Sequence, residues 1–552
     1  MRVFFCAISI LSSVFGFSQP VPDSTIKKID ALFKQWDTKN SPGCTIGIVR
    51  GDSIIYAKGY GMANLEYDVA ITPETVFHMA SISKQFTGYA MVLLAKQGKL
   101  KLDDDVRKYL TWFPDMKKKI TIRHLLNHTS GIRDQWQLLA ISGTRLDDVI
   151  TQEHIVKILS KQKELNFNPG DRYMYSNSGF TMLAEIVKAV TGQTLREFCD
   201  SAIFKPLKMT NTHFHDNAEE VVKNRSYSYY RDDKGKYANS ILSYSNAGAT
   251  SLFTTANDFS KWIMNFYKPV VGDAADITTL TTKGKLNNGK EIQYALGILS
   301  DKQNGYTRYS HGGADAGFRT AMSVLPELKM GFLVFSNEDS FNPNGKLDEL
   351  TNLFVGNSNK KAEEGKQADS SLALIKDTNN YKRFTGSYIS DEGMNFSFKL
   401  KESKMYLGIG SQNFLLAKMQ KDTFSVIAFP HVKFLFNNPG TSVDLIDNEE
   451  KFEMKKYTLD TNVSVQQLQP YTGTYYCPEL DCTYYIILKD KKLYLTNNKY
   501  TDAKINVLGD EHLTTDNWWM SHLLVKHDTS KKITGFEVHG GRVLHLKFQK
   551  IK

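Results

Sequence analysis

The sequence predicts an α+β domain followed by two copies of a small all-β unit. Three observations carry this reading. Short apolar strands stand at both ends of residues 25–355 with helical periodicity between them, so one sheet joins the two ends of the domain. A motif pair recurs after residue 380 at a fixed offset. Aromatic residues make up 12% of the chain, many of them in the last third, as β-structure favours. The 552 residues allow two to four domains at roughly 150 residues each. With 41% hydrophobic and 23% charged residues the chain can bury a core, which excludes wholesale disorder and a disulfide-stapled miniprotein.

In chain order, Met1 and Arg2, the apolar run Val3 to Phe17 and then Ser18-Gln19 read as an export signal over residues 1–18, cleaved after Ser18. The run is shorter than the ~20 residues of a membrane span, so the expected location is secreted or periplasmic, with no membrane span. Cys6 leaves with this segment. Cys44, Cys199, Cys477 and Cys482 remain, and the last two can close a short loop or stay as thiols.

Residues 19–355 form the first domain. Two apolar strands flank Arg50-Gly51-Asp52 within residues 43–60, a hairpin pattern. The extended segment Thr75 to Met79 leads into a helix from Ser81 to Lys99, with Phe86, Tyr89, Met91, Val92, Leu93 and Leu94 on its apolar positions and Gly98 as its stop. Further helices are expected at Thr181–Val190 and Ala256–Phe266. Apolar segments at 306–311, 318–325 and 331–336 read as strands, the last two antiparallel neighbours across Pro326 to Met330. Residues 356–380 are polar and small, a linker. Beyond it FTGSYIS at 384–390 matches YTGTYYC at 471–477, and LKESKMYL at 400–407 matches LKDKKLYL at 488–495. Two closed barrels or sandwiches, 381–465 and 466–552, follow from this repeat.

The net charge of +10 is spread over the whole chain with no basic block, so nucleic acid is not an expected partner. Chemistry concentrates in three short motifs. In Ser81-Ile82-Ser83-Lys84 the positions i and i+3 share a helix face, so Lys84 can bring its amine to the Ser81 hydroxyl. In Tyr175-Ser176-Asn177, within NPGDRYMYSNSGF, a phenol that can move a proton lies beside an amide. In His311-Gly312-Gly313 paired glycines let a backbone approach a substrate closely. His213, His215 and Asp216 read as a strand or loop edge, and no Cys and His spacing resembles a zinc site.

These motifs stand in the order of one family. The chain resembles the serine β-lactamase and penicillin-binding-protein superfamily, most closely its class C-like branch of β-lactamases, esterases and D-aminopeptidases (peptidase S12-like). The likeness covers residues 25–355 and includes GYGMANLEYDVAITPETVFHMASISKQFTG, GKLKLDDDVRKYL, ITIRHLLNHTSG, GATSLFTTANDFSKW and YSHGGADAGFRT. The resemblance implies a β-lactamase/transpeptidase-like fold with an antiparallel sheet and helices. It implies Ser81 as acylated nucleophile, Lys84 as its partner base, Tyr175 as the group that relays protons and activates the deacylating water, and Asn177 as orienter of the acyl side chain and of Lys84. His311, Gly313 and Ala314 would line the substrate, with the N–H groups of Ser81 and Ala314 as oxyanion hole. His128 in His128-Thr129-Ser130-Gly131 would be helix-end scaffold. The repeats resemble the lipocalin-like barrels that follow such a domain in D-aminopeptidases.

One departure narrows the activity. Penicillin-processing members usually carry Lys-Thr-Gly where this chain has His311, and histidine with an ordinary pKa of about 6.5 is only partly charged at neutral pH. Arg319 in the next strand either restores a cation or points to solvent. The expected function is therefore a serine hydrolase of D-amino-acid peptides, amides or small esters. The alternatives are a true β-lactamase or D,D-peptidase, and a catalytically idle binder of cell-wall or peptide ligands. The expected partner is a small-molecule or peptide substrate, cell-wall material included, and no metal or organic cofactor is implied.

Overall fold

The computed structural model describes residues 21–356 and 378–552, apart from 391, 410–411, 420–421, 428, 439, 448–449, 458–462 and 509–510. The export segment and nearly all of the linker lie outside the described residues. Helix α1 (Asp23–Phe33) precedes the expected hairpin, β1 (Cys44–Arg50) and β2 (Ser53–Tyr60), whose turn places Gly51 at φ +57°, a conformation glycine adopts without steric cost. Two-residue strands β3 (Phe77–His78) and β4 (His213–Phe214) flank β5 (Leu252–Thr254) in a small antiparallel sheet. The large sheet is completed by β6 (Leu299–Gln303), β7 (Tyr306–Asp315), β8 (Phe318–Leu325) and β9 (Met330–Ser336).

Its order is β6-β7-β8-β9-β1-β2, antiparallel throughout, so the start and end of the domain pair directly, Ile46 opposite Val334. Alternation decides which face each side chain joins. Ile46, Ile48, Phe332 and Val334 pack under α1 and α7 (Pro343–Val355), whereas Leu333 and Phe335 join the opposite core. That opposite core is built on the central helices. They are α2 (Lys84–Lys96), α3 (Ile122–Leu126), α4 (Gln135–Ile141), α5 (Asn177–Thr191) and α6 (Ala256–Asn265). Trp262 of α6 is fully buried against Phe86 and Tyr89 of α2, ring centroids 4.6 and 5.2 Å away, and its indole N–H donates to Gln85 Oε1. An apolar ring with one satisfied polar end anchors α2, the helix that carries the lysine.

Each repeat is a closed barrel of eight strands, Gly386 to Tyr457 and Gly473 to Lys550. The repeated motif has a mechanical cause: Tyr388 donates its hydroxyl to Phe384 O, and Tyr475 to Tyr471 O, four residues back in both copies. The barrels attach differently. The first has its own apolar core, while the core of the second is continuous with that of the first domain. Across this second interface the buried Arg133 pairs with Glu479 at 2.8 Å and donates to Leu544 O at 2.9 Å. Cys477 and Cys482 face each other as cross-strand partners in the first hairpin of the second barrel, and both are free thiols. Among the described residues no helix is long and apolar enough to cross a membrane.

Candidate active site

Ser81 does not open an α-helix, as the periodicity suggests. It lies in a 3₁₀ turn, Ala80–Ser83, that runs into α2. The tighter turn serves the pairing better, because side chains at i and i+3 eclipse in a 3₁₀ helix. The turn is pinned by Ser83, which donates to Ala80 O at 2.6 Å and accepts from Leu252 N at 2.9 Å. Ala80 is held at φ +48°, a left-handed conformation that costs a non-glycine residue energy and that collects at functional sites. Ser81 is half-buried, whereas Ala80, Ile82 and Ser83 are buried, so it is the accessible residue of the turn.

Lys84 is fully buried with its Nζ 3.0 Å from Ser81 Oγ, 2.8 Å from Asn177 Oδ1 and 2.7 Å from Ala249 O. The last two are acceptors only, so they hold two N–H bonds of a neutral amine and direct its lone pair at the serine hydroxyl. Burial favours that neutral form: it brings the Lys84 pKa down to about 7, with Asp315 and Asp134 pulling the other way. A hydroxyl facing an amine that is half deprotonated at neutral pH can lose its proton as it attacks a carbonyl.

Asn177 is oriented by Asp134, whose Oδ2 accepts from both Asn177 N and Nδ2 at 2.8 Å. This fixes the amide flip and turns Oδ1 toward Lys84. Tyr175 lies two residues earlier, its ring 4.9 Å from Lys84 Nζ and 4.1 Å from the His128 ring. Burial pushes the Tyr175 phenol up, by more than a Ser81 hydrogen bond and the Arg542 charge pull it down, so it is a proton donor at neutral pH. His128 ends its helix at φ +58° as scaffold, and it also braces this loop: Nδ1 accepts from Ser176 N at 3.1 Å. Burial holds its pKa well below the ordinary value.

His311 is neutral rather than partly charged. Burial, then the Lys84 charge, bring it down to about 4. Nδ1 lies 2.6 Å from Gly312 O, a pure acceptor, so Nδ1 carries the proton and Nε2 accepts from Tyr294 OH at 2.8 Å. Gly313 has a use beyond the one its motif suggests. A Cβ there would stand 2.4 Å from Met79 O, so the missing side chain lets β7 close on the Ser81 turn. Ala314 follows directly, and the next residue, Asp315, is held by His78 Nε2 at 3.1 Å and by Thr250 Oγ1. Arg319 pairs in register with Ala314 and turns its Nη1 to Ala316 O and Phe318 O, in the cleft wall rather than out to solvent.

The second barrel completes the site. The turn between its last two strands, Ile533–Gly540 and Val543–Lys550, puts Arg542 4.8 Å from the centre of the Tyr175 ring and 3.7 Å from Asp134 Oδ2. A cleft of about 800 Å³ runs between the domains, with Trp136, Tyr244, Ala314 and Arg319 on one side and Trp518 and Arg542 on the other.

A sequence profile described as Beta-lactamase matches residues 29–356. The chain belongs to the beta-lactamase family. As a member it is a serine hydrolase. Among relatives, it is 25% identical to Penicillin-binding protein 4* of Bacillus subtilis over 401 residues, 70% of this chain and 88% of that one. It is 28% identical to a D-aminopeptidase of Brucella anthropi over 280 residues, 50% of this chain and 52% of the relative, so it spans about half that relative's length. In fold it is similar to an octameric penicillin-binding protein homologue from Pyrococcus abyssi, with a TM-score of 0.56 and 23% identity, covering 79% of this chain and 99% of the other.

In this beta-lactamase-family chain, Ser81, Lys84, Tyr175 and Asn177 converge around one amine, with His311, Gly313 and Ala314 on β7 and Arg319 on the neighbouring β8 beside them. Asp134, Tyr294, His78 and Arg542 belong to the same assembly but form no motif with their neighbours. Among the described residues two groups could hold a metal ion, His213, His215 and Glu220, and Glu537, His539 and His545, and none of these side chains lines the cleft. In the first, Arg196 grips Glu220 through both guanidinium nitrogens, and in the second Lys526 lies 3.2 Å from Glu537. A cation already compensates each carboxylate.

Proposed function

We propose that this beta-lactamase-family protein is an exported acyl-enzyme hydrolase that cleaves an amide or ester of a D-amino-acid peptide, D-amino-acid amide or small ester at Ser81. The observation that carries the proposal is the buried Lys84 amine, whose Nζ lies 3.0 Å from Ser81 Oγ and within hydrogen-bond distance of the acceptors Asn177 Oδ1 and Ala249 O. Neutral Lys84 takes the Ser81 proton as Oγ attacks the carbonyl carbon. The N–H groups of Ser81 and Ala314 receive the oxyanion; one such donor is worth about 2.7–4 kcal/mol. Tyr175, held protonated by burial, gives its proton to the leaving group and recovers one through Lys84. A water then attacks the acyl-enzyme along the same path and releases acid and free serine.

Neutral His311 favours this reading over β-lactam hydrolysis, because the third motif carries no permanent cation. The D-aminopeptidase relative supports D-configured acyl groups. Residues 1–18 read as the signal that exports the protein to the periplasm or medium.

The experiment is a panel of p-nitrophenyl esters, D-amino-acid anilides and nitrocefin on the wild type and Ser81→Ala, together with a fluorophosphonate probe. Ester or D-anilide turnover that vanishes in Ser81→Ala, with the probe on Ser81, is expected. A folded protein that neither binds the probe nor turns over any substrate refutes the proposal, and Ser81-dependent nitrocefin turnover as fast as the best ester makes it a β-lactamase.

A further inference from the structure

We infer that Arg542, carried into the catalytic cleft by the second barrel, is the receptor for a carboxylate on the substrate and sets a preference for anionic acyl compounds. The inference rests on the acyl-enzyme reading above and names the substrate class of that site.

The main chain of Arg542 is fixed independently of its side chain. Its N–H donates to Gln137 Oε1 at 2.7 Å, and its carbonyl accepts from Asn166 Nδ2 at 2.9 Å and from Asp134 N at 3.2 Å. The side chain is 46% exposed, and its guanidinium makes no hydrogen bond with the described residues. The nearest carboxylate oxygen, Asp134 Oδ2 at 3.7 Å, already accepts two hydrogen bonds from Asn177. The fork of N–H donors therefore stands beside Tyr175 with its hydrogen-bonding capacity free, the geometry that takes a carboxylate through two parallel bonds.

The other charges of the cleft are committed. Lys84 is buried and fully engaged, His311 is neutral, and Arg319 is turned into the wall by Nη1, which donates to two main-chain carbonyls, so Arg542 is the cleft cation whose guanidinium makes no hydrogen bond with the described residues. Of the acids along the cleft, Asp147 is held by Arg145, and Asp315 by His78 and Thr250. The barrel thus supplies the cation that the third motif lacks, and supplies it from the Tyr175 side rather than from β7.

The test uses the full chain and two matched substrate pairs. An N-acetyl D,D-dipeptide with a free C-terminal carboxylate is compared with its amide, which places the charge on the leaving group. An N-succinyl D-aminoacyl p-nitroanilide is compared with its N-acetyl counterpart, which places it on the acyl group. In one pair the wild type should favour the anionic member by about 10- to 100-fold in kcat/KM, the range of a charge-assisted hydrogen bond. In Arg542→Gln that ratio should fall to near one, and in Arg542→Lys, which keeps the charge without the fork, to an intermediate value. Should the glutamine variant fail to fold, the drop in the lysine variant decides. Wild-type ratios near one in both pairs, or a preference that persists without Arg542, overturn the inference while Ser81-dependent turnover leaves the proposed function standing. Absence of Ser81-dependent turnover of any substrate overturns both.

Discussion

Lowering the pH through 7 should switch the acylation step off by protonating Lys84. Its pKa stands at about 7 because the amine is fully buried, against an ordinary value of 10.5. Acylation needs the unprotonated amine, so the rate rises with pH: roughly a tenth of the plateau near pH 6 and a hundredth near pH 5, since the neutral fraction falls about tenfold per unit below the pKa. Arg542 lowers the Lys84 pKa, so Arg542→Gln should move the limb to higher pH. The assay is single-turnover acylation by a neutral p-nitrophenyl ester with enzyme in excess, read as p-nitrophenol release between pH 5 and 9. A neutral ester keeps the Arg542 effect on the base apart from substrate charge. The same shift makes a sign prediction for stability: the unfolded chain binds more protons than the native one between pH 7 and about 10, so the Lys84 contribution to stability rises with pH there. A rate that is flat from pH 5 to 8 would show that Lys84 is not the first base, and a rate still rising about tenfold per unit up to pH 9 would show that burial does not depress its pKa.

Gly313→Ala places a Cβ 2.4 Å from Met79 O and from Thr320 Oγ1, pushing β7 off the Ser81 turn; kcat should fall at least about 100-fold with far-UV circular dichroism intact, as for loss of one oxyanion donor. Glu479→Leu leaves the fully buried Arg133 without its carboxylate; chemical denaturation should show a loss of about 3–5 kcal/mol. The exposed pair Lys547 and Glu164 is the control, and Lys547→Ala should cost less than about 1 kcal/mol. Asp134→Ala removes the acceptor for both Asn177 donors and should lower kcat more than tenfold with KM little changed, whereas Asp134→Asn, which keeps an acceptor oxygen, should recover part of the loss.

What the chain reveals in advance follows range of interaction. The hairpin at 43–60, the strands at 318–325 and 331–336 and the repeat of the barrels are local patterns, and each appears where its periodicity and turn residues place it. Lys84 is legible because Ser81 stands three residues before it, whereas Asn177 is marked by its motif alone, its partners Lys84 and Asp134 lying 93 and 43 residues away. The 3₁₀ turn at Ser81 is not, because the bond that pins it comes from Leu252, 169 residues away. Nor does any spacing reveal the charge on His311, which burial decides, or Tyr294, which only the folded chain brings to it. Arg542 is the extreme case: one arginine in a Gly-Gly-Arg turn of a barrel, given meaning by Tyr175 and Asp134 of another domain.

That turn also sets an order of events. Arg542 lies about 190 residues after Val355, the end of the last helix of the first domain, and synthesis at about 5–20 residues per second separates the two by roughly 9 to 40 seconds. For that interval the serine, the lysine and the asparagine can be in place while the wall of the cleft opposite Ala314 does not yet exist. The nascent hydrolase is open on the side where the finished one carries Arg542, and any selectivity that this arginine confers is acquired last.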